Sequence, residues 1–389
     1  MAPNVLVLGG VGFIGRNLVS LLVDGGLAAH IRVVDKVLPT TAYLSDAHKK
    51  VFANPMVEFK QANLVNAASA EKAFTREDGS QFDLVFNLAA ETKYGQAEEV
   101  VFYRPQFYST SELSTAGIVY DEKVFMLSMA VGKEAAKRGV KVFVELSTAQ
   151  VYDAGKKPSA EDGKLKPWTL IAKSKLKAEE ELKKIAGLNL IIVRPAIVYG
   201  PNDNLGITPR LIIGAVYRHL NEEMTLLWTK DLKLNTVHVR DVARALWHIA
   251  ATTEDKGGRV GDVVPGTTYN LVDKNETDQG IVNKHIESIY GISTGFQGTL
   301  NLDSVTEDVN DKHLQPWSEL CKNGGIANTP LTPYLDKELL KDNSLSIDGS
   351  KVEKDLGFTY THPEMTDALL REVIDGFVSQ GVWPTGTTK

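Results

Sequence analysis

The most constraining feature of this sequence is a glycine-rich turn that directly follows an apolar strand near the N-terminus. Residues 4–8 read Asn-Val-Leu-Val-Leu, and Gly9, Gly12 and Gly15 follow at every third position. The first glycine permits a tight turn, the second leaves space for a phosphate, and the third lets a new helix lie close to the strand. The pattern therefore predicts a pyrophosphate cradle at a helix N-terminus.

An acidic residue at the end of the next strand strengthens this prediction. Residues 31–35 read Ile-Arg-Val-Val-Asp, and Asp35 lies about 20 residues beyond the last glycine, where a ribose-binding acid is expected. Its carboxylate can accept both ribose hydroxyls and would repel a 2′-phosphate, which favours NAD over NADP. Lys36 leaves NADP as the less favoured alternative, because its cation could pair with that phosphate.

Strand-like and helical stretches alternate along the first half of the chain. Apolar runs recur at 57–60, 84–88, 142–146 and 190–193. This alternation predicts an α/β fold, a Rossmann-type doubly wound parallel sheet whose ligand binds outside the carboxyl ends of the strands.

The length of 389 residues allows a second, smaller unit. We expect a dinucleotide-binding domain over 1–200, with a loop insertion at about 96–120. Residues 201–389 are expected to form a mixed α/β C-terminal substrate lobe that shares late strands with the sheet.

Composition excludes several classes of partner. The chain is 43% apolar and 24% charged, with a net charge of −6, which gives no electrostatic case for nucleic acid or an anionic membrane. The N-terminus shows no signal-peptide pattern and no apolar run is long enough to span a bilayer, so we expect a cytoplasmic protein. Cys321 is the only cysteine, and no ligand spacing for a metal is visible.

Further motifs follow in an order typical of one family. They are the glycine motif at 9–15, Asn-Leu-Ala-Ala at 87–90, Leu-Ser-Thr at 146–148, Arg-Pro-Ala-Ile-Val-Tyr-Gly-Pro at 194–201 and His-Val-Arg-Asp-Val-Ala at 238–243. With this series the chain resembles the extended short-chain dehydrogenase/reductase family of sugar-nucleotide epimerases and dehydratases. The resemblance implies an NAD cofactor.

The resemblance also implies roles for individual positions. The three glycines would hold the pyrophosphate, Asp35 the ribose, and Asn63 the adenine edge. The full set of implied cofactor-binding residues is Gly9, Gly12, Phe13, Ile14, Gly15, Asp35, Lys36, Asn63, Leu64, Leu88, Ala89, Ala90, Lys175, Pro195 and Val198. Leu88, Ala89, Pro195 and Val198 are equally what a buried strand end contains, and this alternative stays open.

One expected catalytic group is missing. The family uses a tyrosine with a lysine four residues later on one helix face, where the cation favours the phenolate. Here Ile171 precedes Lys175 at that spacing, and the alternative register from Lys173 reaches Thr169. Ala149 and Gln150 also stand where dehydratases of the family carry an Asp-Glu pair, which disfavours water elimination.

Two interpretations follow. In the first, the protein is an atypical NAD-dependent oxidoreductase or epimerase that retains Thr148 and Lys175 and takes its acid from another tyrosine. The candidates are Tyr94, which we favour, and Tyr103, Tyr108 and Tyr199. In the second, the chain binds dinucleotide without hydride chemistry, as a structural or regulatory protein. Lys175 itself is equally interpreted as one of many surface lysines on a charged helix.

The resemblance further implies a polar, possibly nucleotide-linked substrate in the C-terminal lobe. Arg210, Arg218, His238 and Arg240 are basic residues that could face a phosphate-bearing ligand. A homodimer is expected through helices at 121–138 and 166–185, although the charged second helix could instead face water.

Overall fold

A computed structural model describes residues 2–96, 115–255, 266–298 and 308–389 of the chain. The strands in these residues are β1 (Asn4–Leu8), β2 (His30–Asp35), β3 (Val57–Gln61), β4 (Leu84–Asn87), β5 (Val142–Leu146), β6 (Leu190–Pro195), β7 (Ile197–Tyr199), β8 (Met224–Leu226), β9 (Thr236–His238), β10 (Thr267–Leu271) and β11 (Thr294–Phe296). The α-helices are α1 (Phe13–Asp24), α2 (Asp46–Phe52), α3 (Ala67–Phe74), α4 (Thr115–Tyr120), α5 (Leu127–Lys137), α6 (Leu170–Leu182), α7 (Thr208–Leu220), α8 (Val239–Asp255), α9 (Gln279–Tyr290), α10 (Asp308–Asn323), α11 (Ser350–Leu356) and α12 (Asp367–Ser379).

The centre of the fold is a seven-stranded parallel sheet in the order β10-β6-β5-β4-β1-β2-β3. This arrangement confirms the predicted Rossmann-type doubly wound sheet. The chain runs outward in one direction from β1 to β3 and in the other from β4 to β6. The change of direction lies between β1 and β4, where a crevice opens at the carboxyl ends of the strands.

Both faces of the sheet are covered, which explains the continuous apolar runs in the sequence. Alternate residues of β1 enter different cores: Val5 and Val7 pack on one face, and Leu6 and Leu8 on the other. Burying both sets fixes the strand register, because a slip of one residue would exchange the two faces. Leu8 consequently aligns with Val34 of β2 and Asn87 of β4, which brings the three strand ends together.

A second core lies among α7, α9, α10 and α12. Trp317 and Trp383 pack edge to face there, with ring centroids 5.2 Å apart, together with buried aliphatic residues such as Leu211 and Ile286. The late strand β10 instead pairs with β6 in the central sheet. The domain boundary at residue 200 stays a prediction.

The predicted loop insertion at 96–120 falls mostly outside the described residues, together with Tyr103 and Tyr108. Its last part differs from the prediction, because residues 115–120 form α4, and a π-helical turn over Asp121–Met126 joins α4 to α5. The sequence there showed no clear periodicity. Helical geometry in this segment is set by its contacts with α6, which a periodicity argument does not see.

Candidate functional site

The glycine turn has the geometry of a cradle. Gly9 has φ +75°, and a Cβ there would lie 2.6 Å from the backbone nitrogen of Ala89. A Cβ at Gly15 would lie 2.4 Å from the Gly9 carbonyl oxygen, so larger residues would push α1 off the strand. A Cβ at Gly12 would meet only that same carbonyl oxygen, at 3.1 Å. The face of Gly12 is therefore open at the N-terminus of α1, where backbone N–H groups attract anions.

Asp35 lies beside this cradle and is held by the backbone. Its Oδ2 accepts a hydrogen bond from Val11 N at 3.1 Å, and its Oδ1 accepts one from Val37 N at 3.1 Å. Lys36 follows Asp35 directly, and its Nζ is 3.8 Å from Glu91 Oε2. Lys123 Nζ lies 3.7 Å from the same oxygen. Glu91 thus engages both lysines at the edge of the crevice.

One large cavity, of about 1740 Å³, connects the cradle to the C-terminal lobe. All fifteen residues that the family resemblance implies for cofactor binding line it, from Gly9 to Val198. Thr148 and Tyr94 line the same cavity. The structure therefore brings the three predicted catalytic residues and the implied cofactor-binding residues to one cavity.

Lys175 is a buried residue and not a surface lysine. Its side chain is 7% exposed, and its Nζ donates a hydrogen bond of 2.5 Å to the Leu146 carbonyl oxygen at the end of β5. Burial lowers the pKa of Lys175, and the carboxylates of Glu145 and Glu179 oppose that shift. The interpretation of Lys175 as one of the solvated lysines on α6 is wrong, because that helix turns this residue towards the sheet.

Tyr94 lies close to the position of the missing tyrosine. It packs against a small buried cluster formed by Tyr120, Val124 and Ile171. Its hydroxyl is 3.0 Å from Gln150 Nε2 and 3.2 Å from Gln150 Oε1. Burial raises the pKa of Tyr94 to about 12. The phenol is therefore protonated at neutral pH. Tyr94 and Ile171 both line the cavity.

Thr148 and Gln150 form the wall that meets Tyr94. Thr148 Oγ1 accepts a hydrogen bond from Gln150 N at 3.2 Å and caps a short 3-10 turn over Ala149–Val151. The hydroxyl proton of Thr148 remains available to a ligand. Thr169 Oγ1 donates to Gln150 Oε1 at 2.9 Å and fixes the amide that contacts Tyr94.

Tyr199, the other described alternative acid, does not reach the site. It is fully buried in the second core, its hydroxyl is 3.4 Å from the Glu364 carbonyl oxygen, and it does not line the cavity. Burial raises its pKa far above the ordinary value of a phenol.

The four basic residues singled out in the C-terminal lobe have different surroundings. Arg218 donates to the Tyr290 carbonyl oxygen, Arg240 pairs with Glu372, and the buried His238 stacks on His362 with ring centroids 4.2 Å apart. Only Arg210 among them lines the cavity. Its Nη2 donates to Gln279 Oε1 at 3.0 Å, while its buried Nη1 has no hydrogen-bond partner among the described residues.

Within the part of the chain that the structure describes, two further cavity-lining residues each have a buried polar atom without a hydrogen-bond partner. These atoms are Trp168 Nε1 and His313 Nδ1. Buried polar groups in folded proteins are nearly always hydrogen-bonded, so these atoms distinguish Trp168, Arg210 and His313 from the other polar residues of the wall. Sequence reasoning missed both Trp168 and His313, because no short motif carries them. It also did not single out Glu145, although a charged residue within an otherwise apolar strand indicates a buried carboxylate that needs partners.

Other classes of site find no support in the part of the chain that the structure describes. It holds no group of three or more His, Cys, Asp or Glu side chains arranged to bind a metal ion. In the same residues, none of the helices has the combination of length and apolar character that a membrane span requires.

The geometry agrees with a comparison against protein-family models. The model described as "NAD dependent epimerase/dehydratase family" matches residues 5–270, about two thirds of the chain. The chain belongs to the NAD-dependent epimerase/dehydratase family. The glycine motif and the Arg194 to Pro201 motif fall within the matched range, which ends inside β10.

Individual relatives are distant. An uncharacterised protein of Schizosaccharomyces pombe is 24% identical over 238 residues, which span 59% of this chain and 63% of that relative. A probable dTDP-glucose 4,6-dehydratase of Sinorhizobium fredii is 24% identical over 386 residues, 98% of this chain and 94% of the relative. The crystal structure of UDP-glucuronic acid 4-epimerase from Bacillus cereus, in complex with UDP-glucuronic acid and NAD, superposes with a TM-score of 0.67 and 16% identity, covering 97% of this chain and 99% of that one. The likeness in fold therefore also includes residues beyond the range that the family model matches.

Proposed function

We propose that the protein is an NAD-dependent oxidoreductase or epimerase that acts on a polar, nucleotide-linked small molecule. The observation that carries this proposal is the placement of Tyr94, which supplies a phenol at the wall of the cavity beside Ile171. With Thr148 and Lys175 on the same cavity, the groups needed for proton transfer, substrate orientation and charge are all present.

The residues of the cradle fit a dinucleotide. The open face of Gly12 suits the pyrophosphate, Asp35 the adenosine ribose, and Asn63 the adenine edge. Lys175, Pro195 and Val198 are the residues for the nicotinamide half. When bound, NAD supplies the hydride acceptor for oxidation of a carbon that bears a hydroxyl group.

The protein's own residues would handle the proton. Tyr94 accepts or donates it at the substrate oxygen, and Thr148 holds that oxygen by hydrogen bonding. Gln150 fixes the orientation of the phenol but carries no ionisable proton, so it cannot act as an acid in water elimination. This favours oxidation or epimerisation over dehydration.

The decisive experiment incubates the protein and NAD with a panel of nucleoside diphosphate sugars. We expect a change of the sugar, detected by chromatography, or formation of NADH, detected by absorbance. If NAD binds and every sugar remains unchanged with no NADH formed, the protein is a silent dinucleotide binder. The predicted homodimer and cytoplasmic location remain separate expectations.

We expect Asp35 and Glu91 to set the preference for NAD over NADP. Replacing Asp35→Asn should weaken NAD binding by about tenfold to a hundredfold, because hydrogen bonds to a charged carboxylate contribute about 1.5–3 kcal/mol.

Glu91→Gln should strengthen NADP binding by releasing Lys36 while leaving NAD binding unchanged. Its amide oxygen can still accept from Thr92 N and Lys93 N. Titration of both cofactors measures these effects, and tighter binding of NADP than of NAD by the unmodified protein would contradict the assignment.

Arg210 is expected to bind the anionic part of the substrate. Burial lowers its pKa to about 10, so it stays charged at neutral pH. Arg210→Met should weaken binding of a nucleoside diphosphate such as UDP by about tenfold or more, because it removes the guanidinium that would form charge-assisted hydrogen bonds with the diphosphate. Arg218→Met is the matched control and should leave UDP affinity unchanged. Calorimetric titration distinguishes the two; equal affinities in both variants would exclude Arg210.

A further inference from the structure

The buried lysine of the candidate site has a dedicated counter-charge. Glu145 lies in β5 with a fully buried side chain, and its Oε1 is 3.7 Å from Lys175 Nζ. Asn87 Nδ2 donates to its Oε2 at 2.6 Å, and Ser128 Oγ donates to its Oε1 at 2.8 Å. Because the other residues of β5 are apolar, this carboxylate is costly unless donors and a cation satisfy it.

A second carboxylate near Lys175 is already neutralised. Glu179 lies four residues further along α6, but Arg194 of β6 donates to both of its oxygens, with Nε to Oε1 at 3.0 Å. Ser147 Oγ also donates to Glu179 Oε1. The charged groups that act on Lys175 are Glu145 and Glu179, and since the guanidinium compensates Glu179, Glu145 remains to compensate Lys175.

We propose that Glu145 is a positioning residue that keeps Lys175 charged and directed to the carboxyl edge of the sheet, where the cofactor site lies. This proposal depends on the proposed function in one respect only, which is that Lys175 acts at the cofactor site. The two groups depend on each other. Burial lowers the pKa of Lys175 and raises that of Glu145, and each partner opposes the shift of the other. Without the carboxylate, the buried ammonium would release its proton as the pH rises.

The test compares NAD affinity from neutral to alkaline pH in Glu145→Gln, Ser128→Ala and the unmodified protein. Glu145→Gln removes the charge, and its amide oxygen can still accept from Ser128 Oγ. Its amide NH2 can donate to Asn87 Oδ1, which is unpartnered among the described residues, once the Asn87 amide turns over. Its NAD affinity should fall by about tenfold or more as the pH rises, because loss of an opposite charge lowers a pKa by about 1–3 units. Ser128→Ala removes one hydrogen bond and keeps the charge, so its profile should follow that of the unmodified protein. Parallel profiles for all three proteins would overturn the proposal.

A measurement without cofactor keeps the proposal separate from the proposed function. Glu145→Gln, Lys175→Met and the double variant form a cycle of unfolding free energies in denaturant. The loss from Glu145→Gln should be clearly smaller in the Lys175→Met background. Additive losses would show that the two side chains do not interact, whether or not NAD binds.

Discussion

Tyr94→Phe is expected to lower kcat by about 10²- to 10⁴-fold while leaving NAD affinity unchanged, once a turnover assay is available. The substitution removes only the hydroxyl that contacts Gln150 and keeps the ring that packs on the Ile171 cluster. A loss of rate without a loss of binding or stability would therefore locate the acid of the reaction. The measurement is steady-state kinetics, with cofactor titration and thermal unfolding alongside.

Tyr199→Phe is the matched control for this experiment, because its hydroxyl lies outside the cavity. It should leave kcat within about twofold, as expected for a position that does not touch the reacting groups. Thr148→Ala and Lys175→Met should each cost on the order of 10²-fold or more if they assist proton transfer. A fully active Tyr94→Phe variant would show that the proton passes through another group.

The direction of the Tyr94 pKa shift also predicts how the reaction rate depends on pH. With a pKa of about 12, the phenol is protonated throughout the neutral range. A step in which Tyr94 donates a proton should be independent of pH there. A step in which it accepts a proton needs the phenolate, so its rate should rise with pH and approach a plateau only in strongly alkaline solution. Rates measured in the two directions across pH test this.

Arg194→Met is expected to lower the free energy of unfolding by about 3–5 kcal/mol, the largest stability effect in this set. Arg194 and Glu179 are both buried, and the guanidinium also donates to Tyr152 Oη at 2.8 Å. Removing Arg194 leaves the Glu179 carboxylate buried beside Ser147 without the guanidinium that pairs with it. Denaturant unfolding at neutral pH measures the loss.

The control for this prediction is the same substitution at an exposed pair. Arg240 pairs with Glu372, and the two side chains are 44% and 41% exposed. Arg240→Met should cost at most about 1 kcal/mol, since solvent screens exposed ion pairs. Combining Arg194→Met with Glu179→Leu should restore part of the lost stability, because it removes the unpaired charge. Similar losses for Arg194→Met and Arg240→Met would contradict the argument from burial.

The sequence by itself determined six strands of the central sheet, β1 to β6, the glycine turn and the fold class. The glycine spacing, the acid at Asp35 and the apolar runs are local patterns, and each dictates its structure through backbone sterics and burial of neighbouring residues. Because both faces of the sheet are buried, its strands are continuous apolar runs that can be recognised in the sequence. The missing tyrosine was likewise visible, because Ile171 and Lys175 share one helix face at fixed spacing.

Only the tertiary structure decided how groups far apart in the chain meet. Tyr94 follows β4, and Ile171 lies on α6. The parallel crossovers bring both residues to the same edge of the sheet, but no sequence pattern around either residue indicates that they meet. The structure likewise shows that Arg210 lines the cavity, whereas Arg218 and Arg240 do not. The partners of an arginine depend on which elements pack against it, and the sequence does not show this. The burial of Lys175 is also decided by tertiary packing. Charged residues occur along the whole of α6, so the sequence does not show which of them is buried, and only the packing of α6 on the sheet turns Lys175 towards Glu145.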